Sequence, residues 1–213
     1  VPLFKEAEEK YENPEAFLGE VAAYLPTRLY HHYYDDSVPH SFFGLISASL
    51  LSQATGPEDG HWKPFAQQSW FATKEKKRHP LDLGAVSANQ EGDLEARWKQ
   101  FQEASDAGDF QEALSWAKGF LSSEEDRTFF RQKSLQYALE DTFQGGHKFL
   151  YLFQSWQLAE SLKWNHSEEI LCPALHFLVV APKDRTLSEQ IRDFSRGSLS
   201  SLLDNEGSLS SEH

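Results

Sequence analysis

The run from Gly145 to Trp164 constrains this chain more than any other stretch. Phe149, Phe153, Trp156, Ala159 and Leu162 recur at steps of three and four, which is the apolar stripe of a core-facing α-helix. Gly145-Gly146 breaks the chain just ahead of it. His147 then falls in the first helical turn, where the positive end of the helix dipole disfavours an imidazolium. A neutral ring there can accept a hydrogen bond or bind a metal.

The rest of the chain repeats the helical pattern. Two short helices are expected within residues 1–25, the second starting with Asn13 as N-cap and Pro14 at its first position. A helix follows Pro39 from His40 through Leu51, and another runs from His61 to Lys76. Residues 79–92 are a polar connection, opened by His79-Pro80. Asp93–Ala104 and Asp109–Leu121 form a helical hairpin across Asp106-Ala107-Gly108, and Ser122-Ser123 followed by Glu124-Glu125 signals the start of the next helix. After Asn165-His166-Ser167 a last strong helix carries Ile170, Leu171, Ala174, Leu175 and Leu178. Its end, Val179-Val180, also suits a short strand, although a lone strand has no partner. Residues 184–203 are weakly amphipathic through Leu187, Ile191, Phe194, Leu199 and Leu202.

The expected fold is therefore all-α: a single globular multi-helix bundle over residues 1–196, with a flexible, Ser-rich tail at 197–213. The halves on either side of residues 79–92 carry a duplication signal. Aligning His40 with His147 sets Phe42 on Phe149, Phe43 on Leu150, Leu45 on Leu152 and Ile46 on Phe153. Each histidine-led helix then passes through a polar turn toward a second histidine, His61 or His176. Two pseudo-repeated helical halves and the chance similarity of amphipathic helices both account for this match.

Charge and cysteine content narrow the partners. With 33 acidic residues against 20 basic ones and a formal charge of -13, the chain repels phosphate backbones and anionic lipid, so neither nucleic acid nor membrane is expected as a partner. A single Cys172 excludes an internal disulfide and any multi-cysteine metal site, which suits a reducing, cytoplasmic setting. No apolar run reaches the roughly 18 residues of a membrane helix, and Val1-Pro2-Leu3-Phe4-Lys5-Glu6 lacks the apolar core of a secretory signal.

The titratable residues offer one sharp possibility. If His40 and His147 converge near a pseudo-two-fold axis, His61, His176, Asp36 and Asp141 become candidate neighbours, and such nitrogen and carboxylate donors on facing helices are how non-haem iron or zinc sites are built. The spacing matches no known ligand motif. The same two histidines equally suit structural work at the starts of buried helices, with Asp36 as a cap or a surface charge. His32 and Tyr34, within the ring-rich run His31-His32-Tyr33-Tyr34, and Trp156 are candidates for contacting a flat substrate. Cys172 has no basic neighbour to favour a thiolate and reads as inert packing.

Gly146-His147-x-x-Leu150-Tyr151, continuing to Leu162-x-Trp164 and Ile170-Leu171-x-x-Ala174-Leu175, resembles the histidine-led helices of the questin oxidase-like family, and Pro39-His40 with its apolar helix resembles another such unit. The resemblance spans residues 28–180. It implies a helical fold and oxidation of an aromatic, polyketide-like small molecule in a Baeyer–Villiger-like ring opening; the chain carries no nicotinamide signature. In such an enzyme His40 and His147 are the candidate catalytic pair, binding a metal or polarising a ketone within an aromatic pocket. The hairpin around Gly108-Asp109-x-x-x-Ala113-Leu114 resembles one tetratricopeptide-type unit instead. That likeness implies a non-catalytic helical-repeat module with a protein partner.

Overall fold

The computed structural model describes Lys10, Glu20 and residues 40–55, 63–72, 83 and 85–195. These form helices α1 (His40–Thr55), α2 (Lys63–Ala72), α3 (Leu94–Ala107), α4 (Phe110–Phe120), α5 (Glu124–Leu139), α6 (His147–Ser161) and α7 (Ser167–Val180), with a further helix, α8, at residues 186–195. No strand occurs among the described residues. The fold is all-α, and Val179-Val180 closes a helix rather than forming a strand. Of the helices expected within 1–25 only Lys10 and Glu20 are described, both helical; the Ser-rich tail lies outside the described residues, as do His32, Tyr34, Asp36 and His61.

Local chemistry explains where the helices begin and end. The Asp93 carboxylate accepts from the Ala96 amide at the start of α3, Asp109 from Glu112 at α4, and Ser123 from Asp126 at α5, each satisfying an amide that the helix itself leaves without a partner. Gly108 ends α3 in the left-handed conformation with φ 74°, which costs glycine nothing sterically. Both histidine-led starts are observed: α1 opens at His40 and α6 at His147.

Successive helices pack as hairpins, α1 on α2, α3 on α4, and α6 on α7, while α5 joins the second hairpin to α6, and α1 lies against α6. Phe130 of α5 is the point where four helices meet. Its ring lies parallel to Phe120 at 4.8 Å and edge-on to Phe101 at 4.9 Å and to Trp156 at 5.9 Å. These offset and edge contacts suit the ring quadrupoles better than eclipsed stacking would. The chain ahead of α3 is tied to α4: Asn89 N–H donates to the Ser115 carbonyl at 2.9 Å, the Ser115 hydroxyl to Ser87 O at 2.9 Å, and the Lys118 ammonium to Leu83 O. Gly119 is required there, because a Cβ would lie 1.8 Å from the Asn89 carbonyl oxygen.

On α6 the buried face differs from the expected stripe. Tyr151, Leu152, Ser155, Trp156 and Ala159 are buried together with Lys148, whereas Phe149 and Phe153 are half-buried and stack on each other at 5.7 Å. Rings at 149 and 153 thus stand at the edge of the core.

Candidate functional site

The α5–α6 connection brings the chemistry together. α5 stops at Leu139, a 3-10 turn covers Phe143–Gly146, and Gln144, Gly145 and Gly146 take φ of 52°, 67° and 86°. That left-handed run lets α6 fold back along α5 and sets Asp141 beside the first turn of α6. Asp141 is 2 % exposed and Lys148 is fully enclosed, with Nζ donating to Asp141 Oδ2 at 2.5 Å, Pro182 O at 2.7 Å and Ala181 O at 3.2 Å. Asp141 Oδ1 accepts from the amides of Phe143 and Asp184, both at 3.0 Å. All three ammonium hydrogens and both carboxylate oxygens are used, as a buried ion pair requires if attraction is to offset desolvation. Burial lowers the Lys148 pKa, while the bond to Asp141 opposes that shift.

The pair fastens the segment after α7 to the turn before α6, and a second network continues it. Arg185 and the Tyr137 hydroxyl donate to the same Asp106 oxygen at 2.8 and 2.6 Å. Burial and the hydrogen bond to Asp106 raise the Tyr137 pKa. Lys183 donates to Ser105 O at 2.7 Å, and burial with the nearby Lys148 charge lowers its pKa to about 8.

Each expected donor that can be located has structural work. Asp141 holds Lys148. His147 Nδ1 bonds the Gln144 carbonyl; because a carbonyl only accepts, that nitrogen carries the hydrogen. His176 stands edge-on to Phe110 of α4 at 4.6 Å. His40 opens α1, with its side chain outside the described residues. Among the described residues no three His, Cys, Asp or Glu side chains converge on a point that could hold a metal ion; Asp36, His61 and the His40 side chain lie outside that set. Trp156 is enclosed at 0 % exposure between Phe130 and Trp164 and lines none of the cavities described below. Cys172 is buried, and burial pushes its thiol pKa up, which keeps it a packing residue.

An apolar groove lies on the outer side of the same turn. Ala138, Leu139, Thr142, Gly145, Gly146, Phe149, Leu150 and Leu187 line about 450 Å³ of space, with Asp141 at its edge. Around it Leu139 is 63 % exposed, Leu150 44 % and Leu187 50 %, and the α8 stripe continues through Ile191 and Phe194 at 57 % and 76 %. Leu187, Ile191 and Phe194 are spaced by four and three residues, so they share one helical face. α8 is anchored beside the groove by Arg192, which donates to Glu140 at 3.4 Å, and by the Thr142 amide, which donates to Asp184 O at 2.7 Å.

Fold and site together define an α-helical bundle with a buried charge network under an exposed apolar groove. No helix among the described residues is long and apolar enough to cross a membrane. No family model, curated protein or solved structure matches the chain.

Proposed function

We propose that this chain is a non-catalytic helical interaction module that docks a basic amphipathic helix of a partner protein across the groove at the α5–α6 turn. The observation that carries this reading is that Leu139, Leu150 and Leu187, all exposed, line one apolar depression, with Ile191 and Phe194 exposed further along α8. Contiguous apolar surface of this kind marks interaction sites. The depression accepts a few anchor side chains but not a whole helix, which is the helix-in-groove mode of recognition. The chain's charge of -13 favours a partner with lysine or arginine beside its leucines and steers it on approach.

The test uses a fluorescent leucine–lysine peptide of about 18 residues, five helical turns, against a scrambled peptide of the same composition. Saturable binding of the helical peptide, at least about tenfold weaker (1.4 kcal/mol) for Leu150→Glu and Leu187→Glu, supports the reading. Equal binding of both peptides, or sedimentation showing a wild-type dimer that Leu187→Glu converts to monomer, rejects it.

A second reading, oxidation of an aromatic small molecule as in the questin oxidase-like family, is favoured by one observation: α1 and α6, the helices opening on His40 and His147, lie against each other. Metal analysis of untagged protein tests its iron or zinc version. Stoichiometric metal that disappears in folded His40→Ala and His147→Ala supports it; metal content unchanged by both substitutions removes it.

A further inference from the structure

The opposite end of the α5–α6 pair has different chemistry. α5 places Glu124, Arg127, Thr128 and Arg131 at steps of three, one and three, on one face of its first two turns. α6 ends with Glu160 next to Arg131, whose guanidinium donates to its carboxylate at 2.9 Å. The chain then turns through Lys163, Trp164 and His166 at φ of 54°, 66° and 60°. None is glycine, so each of these left-handed residues carries a steric cost. The turn sets the Trp164 ring 4.7 Å beneath the Arg127 guanidinium and edge-on to Trp156 at 5.9 Å.

Glu124, Arg127, Thr128, Arg131, Glu160 and Trp164 line a partly open cavity of about 310 Å³. Its groups are unequally satisfied. The Thr128 hydroxyl donates to Glu124 O at 2.8 Å, and Arg131 is held by Glu160. Arg127 gives one N–H to Leu121 O at 3.0 Å. Its Nε is buried with no hydrogen-bond partner, and no ion pair between described residues includes it. A guanidinium is a fork made for a carboxylate, and Arg127 lines the cavity with neither Glu124 nor Glu160 bonded to it.

The sign of the whole lining then selects the ligand. Two guanidinium groups are balanced by two carboxylates, so a simple anion is opposed by Glu124, Glu160 and the chain's charge of -13, while a simple cation is opposed by both arginines. A molecule carrying both charges a few bonds apart meets neither objection, and the volume suits one small molecule. We infer that this cavity binds a small zwitterion of the α-amino acid kind, with its carboxylate on Arg127, its ammonium toward Glu160 and Glu124, and its side chain against Trp164.

The test follows the indole N–H resonance of Trp164, identified by its loss in Trp164→Phe, during titration with L-leucine, N-acetyl-L-leucine (anion only) and L-leucinamide (cation only). Expected are a saturable shift with L-leucine at a Kd of about 1 mM or tighter and binding at least about tenfold weaker for the other two. Glu160→Gln, at a side chain 59 % exposed, is expected to weaken L-leucine while leaving N-acetyl-L-leucine unchanged. Arg127→Lys keeps the cation over Trp164 but loses the fork, and weakens both. No shift with L-leucine, equal binding of N-acetyl-L-leucine, or indifference to Glu160→Gln overturns the inference.

Discussion

The two ends of the α5–α6 pair solve the same problem in opposite ways. At the Phe143–Gly146 end the charges are inside and the apolar residues outside: Lys148 and Asp141 are enclosed, while Leu139, Leu150 and Leu187 face solvent. At the Leu162–His166 end the core side is aromatic, through Trp156 against Trp164, and the charged groups line an open cavity. The backbone shows the same contrast. Two of the three left-handed residues in the first turn are glycines, whereas all three in the second carry side chains. One end is built to present a greasy surface over a fixed base, the other to hold an aromatic ring under a cation.

The largest effect should come from breaking the fixed base. Asp141→Ala leaves the Lys148 ammonium enclosed without its counter-charge, and chemical denaturation should show a loss of ~3–5 kcal/mol. Replacing both partners with apolar residues, Asp141→Leu with Lys148→Met, should recover most of that loss; a double variant as weak as the single one would mean that the loss comes from the missing bonds to residues 181–184 and not from the unpaired ammonium. Next is Gly146→Ala. A Cβ there meets no atom within 4 Å, so only the backbone at φ 86° opposes it, and a loss of ~1–2 kcal/mol is expected. The mirror experiment at the other end is Lys163→Gly, which relieves a left-handed lysine and should raise stability by up to ~1 kcal/mol. A loss there would erase the difference drawn between the two turns.

The smallest effect is a pH dependence. The Lys183 pKa is lowered to about 8 from 10.5, first by burial and then by the Lys148 charge. Between these values the unfolded chain holds a proton that the folded chain has released, so this lysine makes stability rise with pH. Tyr137, whose pKa is raised above its ordinary 10.0 by burial and Asp106, acts in the opposite sense above pH 10. Urea midpoints measured between pH 8 and pH 10 should therefore rise more for the wild type than for Lys183→Met, and parallel curves would contradict the placement of Lys183.

Much of the helical order is legible because it rests on local chemistry. Asp93, Gly108 and Ser123 work within one turn of their own positions, so the hairpin and the start of α5 can be read from neighbouring letters. The start of α6 at His147 is legible through the glycine pair ahead of it, where Gly146 takes the left-handed conformation. Lys148 is not. A lysine in the first turn of a helix ordinarily reads as solvated, and its carbonyl partners Ala181 and Pro182 lie 33 and 34 residues away. Asp141 invited a metal-ligand reading because a lone carboxylate near a histidine looks like a donor; the ammonium that claims it becomes its neighbour only through the turn between them. The cavity at Arg127 was equally hidden. Arg127 and Arg131 look like surface charges on a polar helix, and nothing in Lys163-Trp164-Asn165-His166 announces a left-handed turn without glycine.

We propose that the apolar end, not the charged one, receives the partner helix. Backbone amide shift mapping of the isotopically labelled chain with the leucine–lysine peptide tests it most directly. Saturable shifts concentrated at residues 138–150 and 186–195, with residues 160–166 unchanged, are expected. Shifts concentrated at 160–166, or spread evenly over the acidic surface, would contradict it.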